Sequence, residues 1–406
     1  MKIQAPPGTH DVLAQDWPHW DTILRQADRL CRLYGYRPIT TPVFEDTELF
    51  QRTSGAGSDI VQKEMYTFVD RGDRSLTLRP EGTAAIARAY LEHGLHREPQ
   101  PVKLFTVAPM YRYARPQKGR YREHWHLSVE AIGSADPGVD AEVIQLYAEL
   151  LRALGVREYT LLVNSIGDRR CRPAYLERLT AWLEEHDAEL DADARDKRAT
   201  NPLRVFDVKN ERVQSALAGA PKIGESLCEE CVEHFAAVRA ALDSYGVAYE
   251  LAPALVRGLD YYTRTAWEFI GPELGAQSSL SGGGRYDYLV EEIGGPPTPG
   301  VGFGAGIERL HLALEGEAEE AEIEVFFAIA DAARRDEVLP VLAQLRRAGR
   351  AAETDYAERS LKGQLTQAQR LGARATVIVA ADKVTLRRRD QEDVEVASVE
   401  EAVGLL

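Results

Sequence analysis

The sequence predicts a mixed α/β (α+β) protein whose 406 residues divide into two or three domains. Three observations carry that reading. Residues 108–133 form a β-hairpin pattern: a strand ending near Arg112, a polar loop through Pro116 and Gly119, and a strand returning from Tyr121. Residues 169–240 switch to charged helices. From about residue 324 onwards, strands and helices alternate, as in a small α/β domain with a mixed sheet.

Composition sets the class. A hydrophobic content of 44% and a charged content of 28% describe an ordinary globular chain. No apolar run is long enough to span a membrane, and the first residues lack an apolar export core, so a cytoplasmic protein without a membrane partner is expected. Four cysteines do not make a disulfide framework. The net charge of −15 argues against a general nucleic-acid binder. Local basic loops on an acidic body can still grip an RNA backbone.

Taken in order, residues 6–11 read as a turn able to cap a helix from about Trp17 to Tyr34, where Ile23, Leu24, Ala27, Leu30, Cys31 and Leu33 recur at helical spacing. Residues 36–45 are extended and broken by Pro38 and Pro42, which suits an edge or interface strand. Residues 63–69 and 75–79 read as paired strands, and Arg79-Pro-Glu-Gly-Thr83 leads into an alanine-rich helix from Ala84 to Glu92. Glu81 and Thr83 stand where helix N-caps stand, so capping is one reading of them. In the hairpin that follows, Trp125, Leu127 and Val129 point one way and His124, His126, Ser128 and Glu130 the other. Two imidazoles and a carboxylate on one sheet face are costly to hold unless something binds there. The loop places Arg112, Arg115, Lys118, Arg120 and Arg122 within eleven residues, a cluster suited to phosphate.

A helix over 142–154 and a strand over 158–163 precede the charged stretch. That stretch closes on Cys228-Glu-Glu-Cys231, followed by His234. Such spacing invites zinc, but Cys31 and Cys171 are remote and both cysteines fit a helical pattern with Phe235 and Val238; no zinc is expected. Next come Arg257-Gly-Leu-Asp-Tyr261-Tyr262 at the start of a strand and the Ser281-Gly-Gly-Gly-Arg-Tyr286 run. In the segment 300–306 glycine occupies every even position, which strips one strand face so that a flat ligand can lie on the backbone. Arg309 falls in the first turn of the helix that follows, where the dipole favours phosphate. Residues 315–322 are acidic and read as a linker. The boundaries expected are a first domain part at 1–168, a helical insertion at 169–240, a second part at 241–314, the linker at 315–322 and a C-terminal domain at 323–406.

The hairpin resembles the second signature motif of class II aminoacyl-tRNA synthetases, and its Arg115-Pro-Gln-Lys-Gly-Arg-Tyr-Arg122 run resembles the histidyl-tRNA synthetase version. The long helix and proline-bearing strand near the N-terminus resemble the first class II motif, residues 300–310 the third, and 255–269 and 281–287 the two histidine-specific motifs. Residues 201–210 and 227–235 resemble that family's insertion. Residues 323–406 resemble its anticodon-binding domain, down to Arg359-Ser-Leu-Lys-Gly-Gln-Leu365.

The resemblance implies an antiparallel-sheet catalytic domain, a homodimer, and a two-step reaction: L-histidine and ATP, with Mg2+, give histidyl-adenylate, and histidine passes to tRNA(His). Arg257 would neutralise the substrate carboxylate and the α-phosphate as these two anions meet, with Arg112 orienting the α-phosphate. Glu81, Gly82, Thr83, His126 and Glu130 would bind histidine together with Tyr261, Tyr262 and Tyr286. Arg120, Tyr121, His124, Gly304 and Arg309 would hold ATP, while Arg115, Gln117 and Lys118 would meet the tRNA acceptor end.

Three positions depart from the family. Ala114 replaces a glutamate at adenine, His124 a phenylalanine against the adenine ring, and His126 a glutamine beside the substrate. His124, His126 and Glu130 also raise the alternative of a transition-metal site. The competing function is that of the non-catalytic paralogue, the histidine-sensing regulatory subunit of ATP phosphoribosyltransferase, which usually lacks a counterpart of Arg257 and the anticodon-binding domain. Both are present here. An RNA-binding accessory factor would not need Glu81, Thr83, Arg257 and Arg309 together.

Overall fold

The hairpin expected around residue 120 forms two neighbouring strands of a large sheet in the computed structural model, which describes residues 3–55, 58–272, 278–314, 323–389 and 391–406. The acidic linker expected at 315–322 lies outside the described residues. The chain divides into two units, Met1–Glu317 and Ala318–Leu406.

In the first unit, helix α1 (Trp17–Leu33) buries Trp20, Ile23, Ala27, Leu30 and Cys31 along one stripe. The turn at 6–11 does not cap it. Asp16 holds the cap position without a side-chain bond, and Pro18 in the first turn leaves one donor fewer to satisfy. The 6–11 turn instead receives the Arg122 amide on the Gly8 carbonyl at 2.7 Å, bracing the basic loop. Then follow β1 (Arg37–Pro38), β2 (Phe44–Asp46), α2 (Thr47–Ser54), β3 (Tyr66–Val69), β4 (Ser75–Leu78), α3 (Thr83–Glu92), β5 (Val102–Tyr111) and β6 (Glu123–Ile132). Helix α4 (Pro137–Ala153) starts five residues before the expected position, capped by Asp136. After β7 (Thr160–Ser165) come α5 (Arg172–Glu185), α6 (Ala192–Thr200), α7 (Glu211–Leu217) and α8 (Glu229–Tyr245). The unit closes with β8 (Glu250–Leu251), β9 (Thr263–Ile270), β10 (Ser279–Arg285), α9 (Leu289–Glu292), β11 (Gly300–Gly306) and α10 (Ile307–Ala313).

The main sheet runs β1-β5-β6-β11-β10-β9-β7-β8, antiparallel within and parallel only at its two edge pairs. Pro38 sits on an edge strand, where a missing donor breaks no ladder. Leu127, Val129, Trp267, Phe269, Val301 and Phe303 bury one face of this sheet in a core shared with α1, α4 and α8. Strands β2, β4 and β3 form a small separate sheet. Helices α5 to α7 hold a core of their own around Tyr175, Leu179, Leu183, Val213 and Leu217, whereas α8 returns Val238 and Leu242 to the main core.

The second unit is a mixed sheet in the order β13-β12-β14-β15-β16. Strands β12 (Val325–Ile329), β13 (Ala352–Thr354) and β14 (Ala375–Val379) are parallel, and β15 (Val384–Arg388) and β16 (Val394–Val396) are antiparallel. Helices α11 (Arg335–Arg347), α12 (Leu361–Arg370) and α13 (Val399–Gly404) complete it.

Candidate active site

The polar face of β6 forms the floor of a cavity of about 360 Å³. Strand β11 pairs with β6 so that Gly302 meets Glu130 and Gly304 meets Ser128. Gly300, Gly302 and Gly304 do not offer bare backbone to a flat ligand, as the pattern alone suggests, whereas a Cβ on Gly306 would meet nothing closer than Arg309 at 3.7 Å. A Cβ on Gly300 would overlap the Tyr286 ring, one on Gly302 the Glu130 carboxylate, and one on Gly304 the His126 ring. The stripped face is therefore filled by side chains from β6 and from the end of β10. Gly304 and Gly306 still reach the cavity wall. Gly282 of β10 does the same for Arg257, whose guanidinium lies where a Cβ would be.

Five arginines line this space: Arg112, Arg120, Arg204, Arg257 and Arg309. Arg112 donates from Nε to the Pro80 carbonyl at 2.7 Å. Arg120 pairs with Glu64 at 2.7 Å. Arg309 donates to the carbonyls of Gly119 and Ser279 at 3.1 and 2.7 Å, which tie motif-like elements of α10, the loop and β10 together. Arg257 differs: its nearest carboxylate, on Glu268, is 3.6 Å away, and its buried Nε has no hydrogen-bond partner among the described residues. Desolvation and the adjacent Arg112 and Arg309 press His126 down to about 3, and desolvation with Arg112 holds His124 well below the ordinary histidine value. Both rings are thus neutral at pH 7, and the positive charge here belongs to the guanidiniums. His126 Nδ1 lies 3.2 Å from Ser128 Oγ, and the two imidazoles meet edge to face at 5.9 Å.

Glu81 accepts from the amides of Thr83 and Ala84 at 2.7 and 2.9 Å, so it does cap α3, and it also lines the cavity. Thr83 donates to Glu130 at 2.6 Å, and the Tyr286 hydroxyl donates to the other Glu130 oxygen at 2.5 Å. Burial raises Glu130 to about 8, against those two hydrogen bonds, and raises Glu81 against its helix amides. Tyr261 and Tyr262 stack obliquely at 4.6 Å beside them.

Of the residues expected in a site, Glu81, Thr83, Arg112, Arg120, Tyr121, His124, His126, Arg257, Tyr261, Tyr262, Gly304 and Arg309 do line the cavity. Glu130 and Tyr286 stand behind the wall, and Gly82 packs against Ser128. Arg115, Gln117 and Lys118 lie outside it, at the loop tip, where Gln117 and Arg120 close a turn. Sequence reading missed Glu64, Arg204 and Glu268, which also line the cavity. Each is one acid or base among many along the chain, and only its ion pair, such as Arg204 with Asp59 at 2.8 Å, marks it out. Glu130 is hydrogen-bonded to Thr83 and Tyr286. Among the described residues the group of metal-ligating type is Asp168, Cys171, Cys228 and Cys231, none of which lines the cavity.

Residues 8–310 match the family model of histidyl-tRNA synthetases, and residues 324–406 match that of the anticodon binding domain. A histidine–tRNA ligase of Moorella thermoacetica is 47% identical over 98% of this chain and 97% of its own length. One from Desulforudis audaxviator is 50% identical over 95% of this chain and 92% of its own. The crystal structure of S. aureus histidyl-tRNA synthetase superposes with a TM-score of 0.82 at 37% identity, covering 100% of this chain and 99% of that one. A Bacillus halodurans structure described as an ATP phosphoribosyltransferase regulatory subunit/histidyl-tRNA synthetase shares the fold, with a TM-score of 0.67 at 24% identity, over 93% of this chain and 98% of that one. This chain belongs to the histidyl-tRNA synthetase family.

Proposed function

We propose that the chain is a histidine–tRNA ligase that activates L-histidine with ATP and transfers it to tRNA(His), with the cavity floored by β6 as its catalytic centre. The family membership supports the ligase over the regulatory paralogue, which the shared fold alone would not separate. The observation that carries the assignment of the centre is charge placement. A single cavity is lined by Glu81 and Thr83 with two tyrosines and by Arg112, Arg120 and Arg309, and Arg257 lies in the same lining with an uncommitted Nε.

That arrangement suits two anions that must be brought together. The ammonium group of histidine would sit at Glu81 and Thr83, its ring against Tyr261, Tyr262 and His126, with Glu130 and Tyr286 fixing Thr83 from behind. ATP, entering as its magnesium complex, would lie along Tyr121, His124 and Gly304, its phosphates on Arg112, Arg120 and Arg309. Arg120 must exchange Glu64 for phosphate, so its charge is held in place before substrate arrives. Arg257 would then stabilise the charge that develops as the carboxylate attacks the α-phosphorus. No protein nucleophile is needed; positioning and electrostatics supply the acceleration. Because His124 and His126 are neutral, both can accept or donate a hydrogen bond without adding charge, which supports tolerance of these two departures. The loop-tip residues Arg115, Gln117 and Lys118 would meet the acceptor end of the tRNA, and residues 323–406 its anticodon.

A homodimer is part of the same reading. Phe44 and Phe68 of the small sheet meet edge to face at 6.1 Å while staying exposed, beside exposed Val43 and Val69, an apolar patch of the kind subunits cover.

The test is histidine-dependent exchange of labelled pyrophosphate into ATP without tRNA, alongside Arg257→Ala. Exchange that needs histidine and collapses in the variant supports the reading. Histidine binding with no exchange in the unaltered protein would move it to the regulatory class.

A further inference from the structure

Cys228-x-x-Cys231 looked unsupported in sequence because no other cysteine is near it. The fold brings one. Cys171 Sγ lies 3.9 Å from Cys231 Sγ and 3.6 Å from Asp168 Oδ1, and Cys228 Sγ lies 3.9 Å from the same carboxylate oxygen. The four ligand atoms all lie within 4.8 Å of one another. We propose that Asp168, Cys171, Cys228 and Cys231 form a tetrahedral zinc site that clasps the chain where it leaves the main sheet for the helices α5 to α7 and where it returns along α8.

The distances fit the ion. With Zn–S near 2.3 Å and Zn–O near 2.0 Å, the edges of a tetrahedron are about 3.5–3.8 Å. They do not fit a disulfide, which needs about 2.05 Å between sulfurs. The spacing is doubled as well: Asp168-x-x-Cys171 on the outgoing chain faces Cys228-x-x-Cys231 on the incoming one. Cys171 is the N-cap of α5 and Cys228 the N-cap of α8, and neither makes a side-chain cap bond. A position normally given to Ser, Thr, Asp or Asn is thus filled twice by a residue that caps poorly and ligates well. Both helix N-termini point positive ends at the cluster, which favours thiolates.

Three thiolates and a carboxylate carry four negative charges; a zinc ion offsets two, and Arg170 and Arg264 lie 3.3 and 3.5 Å from Asp168 Oδ2, shared with Glu230 and Asp287. Oδ1 is the oxygen left facing the sulfurs. Binding would release the three thiol protons to solvent with no change in oxidation state. Four protein ligands leave no open position, so the ion would be structural, and three sulfurs select zinc over magnesium or calcium. It would also brace the substrate pocket indirectly: Arg172, the first residue of α5, donates to the Tyr262 carbonyl at 2.7 Å.

The test uses the full chain purified under reducing conditions without chelator, with metal measured by mass spectrometry. About one zinc per chain is expected. Cys231→Ser and, at the half-exposed position, Cys228→Ser should each weaken zinc binding by about 100-fold or more, while Cys31→Ala, in the main core, should leave the zinc content unchanged. Cobalt(II) added to the zinc-free protein should give the intense thiolate-to-cobalt absorption of a tetrahedral sulfur site, lost in Cys228→Ser. Circular dichroism confirms that each variant is folded. A zinc-free protein whose cobalt complex shows no thiolate band overturns the proposal, as does full zinc content in both cysteine variants.

Discussion

Arg285, buried at the end of β10, and Arg257, half-buried in the loop that precedes β9, are treated in opposite ways. Arg285 is fully buried and saturated. It bonds Asp140 through Nε and Nη2, the latter at 2.7 Å, and reaches the carbonyls of Ser134 and Asp136 and the carboxylate of Asp287. Asp140 in turn takes His234 at 2.6 Å and Thr265 at 2.8 Å, so one network joins α4, α8, β9 and β10. Burial opposes the Asp140 charge, but Arg285 and His234 outweigh it and hold the carboxyl below its ordinary value. Arg257 has one distant carboxylate and an unpartnered Nε. The same side chain is structure where its donors are spent and, in the proposed function, a substrate-binding charge where they are kept.

The comparison breaks most sharply by truncation. Arg285→Ala leaves Asp140 as an uncompensated buried charge and should cost about 3–5 kcal/mol in denaturant unfolding. Arg257→Ala should change stability by less than about 1 kcal/mol yet lower pyrophosphate exchange by about 100- to 1000-fold, since it removes charge stabilisation from the transition state. Equal stability losses in the two variants would erase the distinction. A smaller effect, about 1–3 kcal/mol, is expected for Gly304→Ala, whose new methyl overlaps the His126 ring; His126→Ala should recover most of it in the double variant.

The remaining effects are in pH dependence. His126, lowered from 6.5 to about 3, contributes stability that is fully present above pH 6.5 and is lost as pH falls towards 3. Glu130, raised from 4.5 to about 8, works the other way: its contribution is present below pH 4.5 and is lost as pH rises through 8. Unfolding free energies measured across that range should show a shallower acid limb in His126→Gln and a shallower alkaline limb in Glu130→Gln.

Much of the fold was legible because it is written in local periodicity. The two faces of β6, the α1 stripe and the strand–helix alternation of residues 323–406 each need only their own segment to be read. What was not legible depends on which strand lies beside which. The glycines of β11 looked like a seat for a flat ligand, but register with β6 turns them into room for Glu130 and His126. Glu81 offered two readings, helix cap or pocket carboxylate, and the structure gives it both positions at once. Cys171 lies sixty positions from Cys231 in the chain. Nothing in a linear pattern announces that pair. Glu64, Arg204 and Glu268 were invisible for the same reason, since an ordinary charged residue becomes part of a site only through its partner.

The glycine strand also constrains how such a protein can change. Gly302 with Glu130, and Gly304 with His126, are each divided volumes in which one residue surrenders the space that the other occupies. A larger residue on β11 is barred while its counterpart keeps its size, and a smaller residue on β6 opens a void that β11 cannot fill by a single conservative step. Substitutions on these two strands should therefore be inherited in pairs, and the mutational routes by which the pocket floor can drift are far fewer than its number of residues suggests.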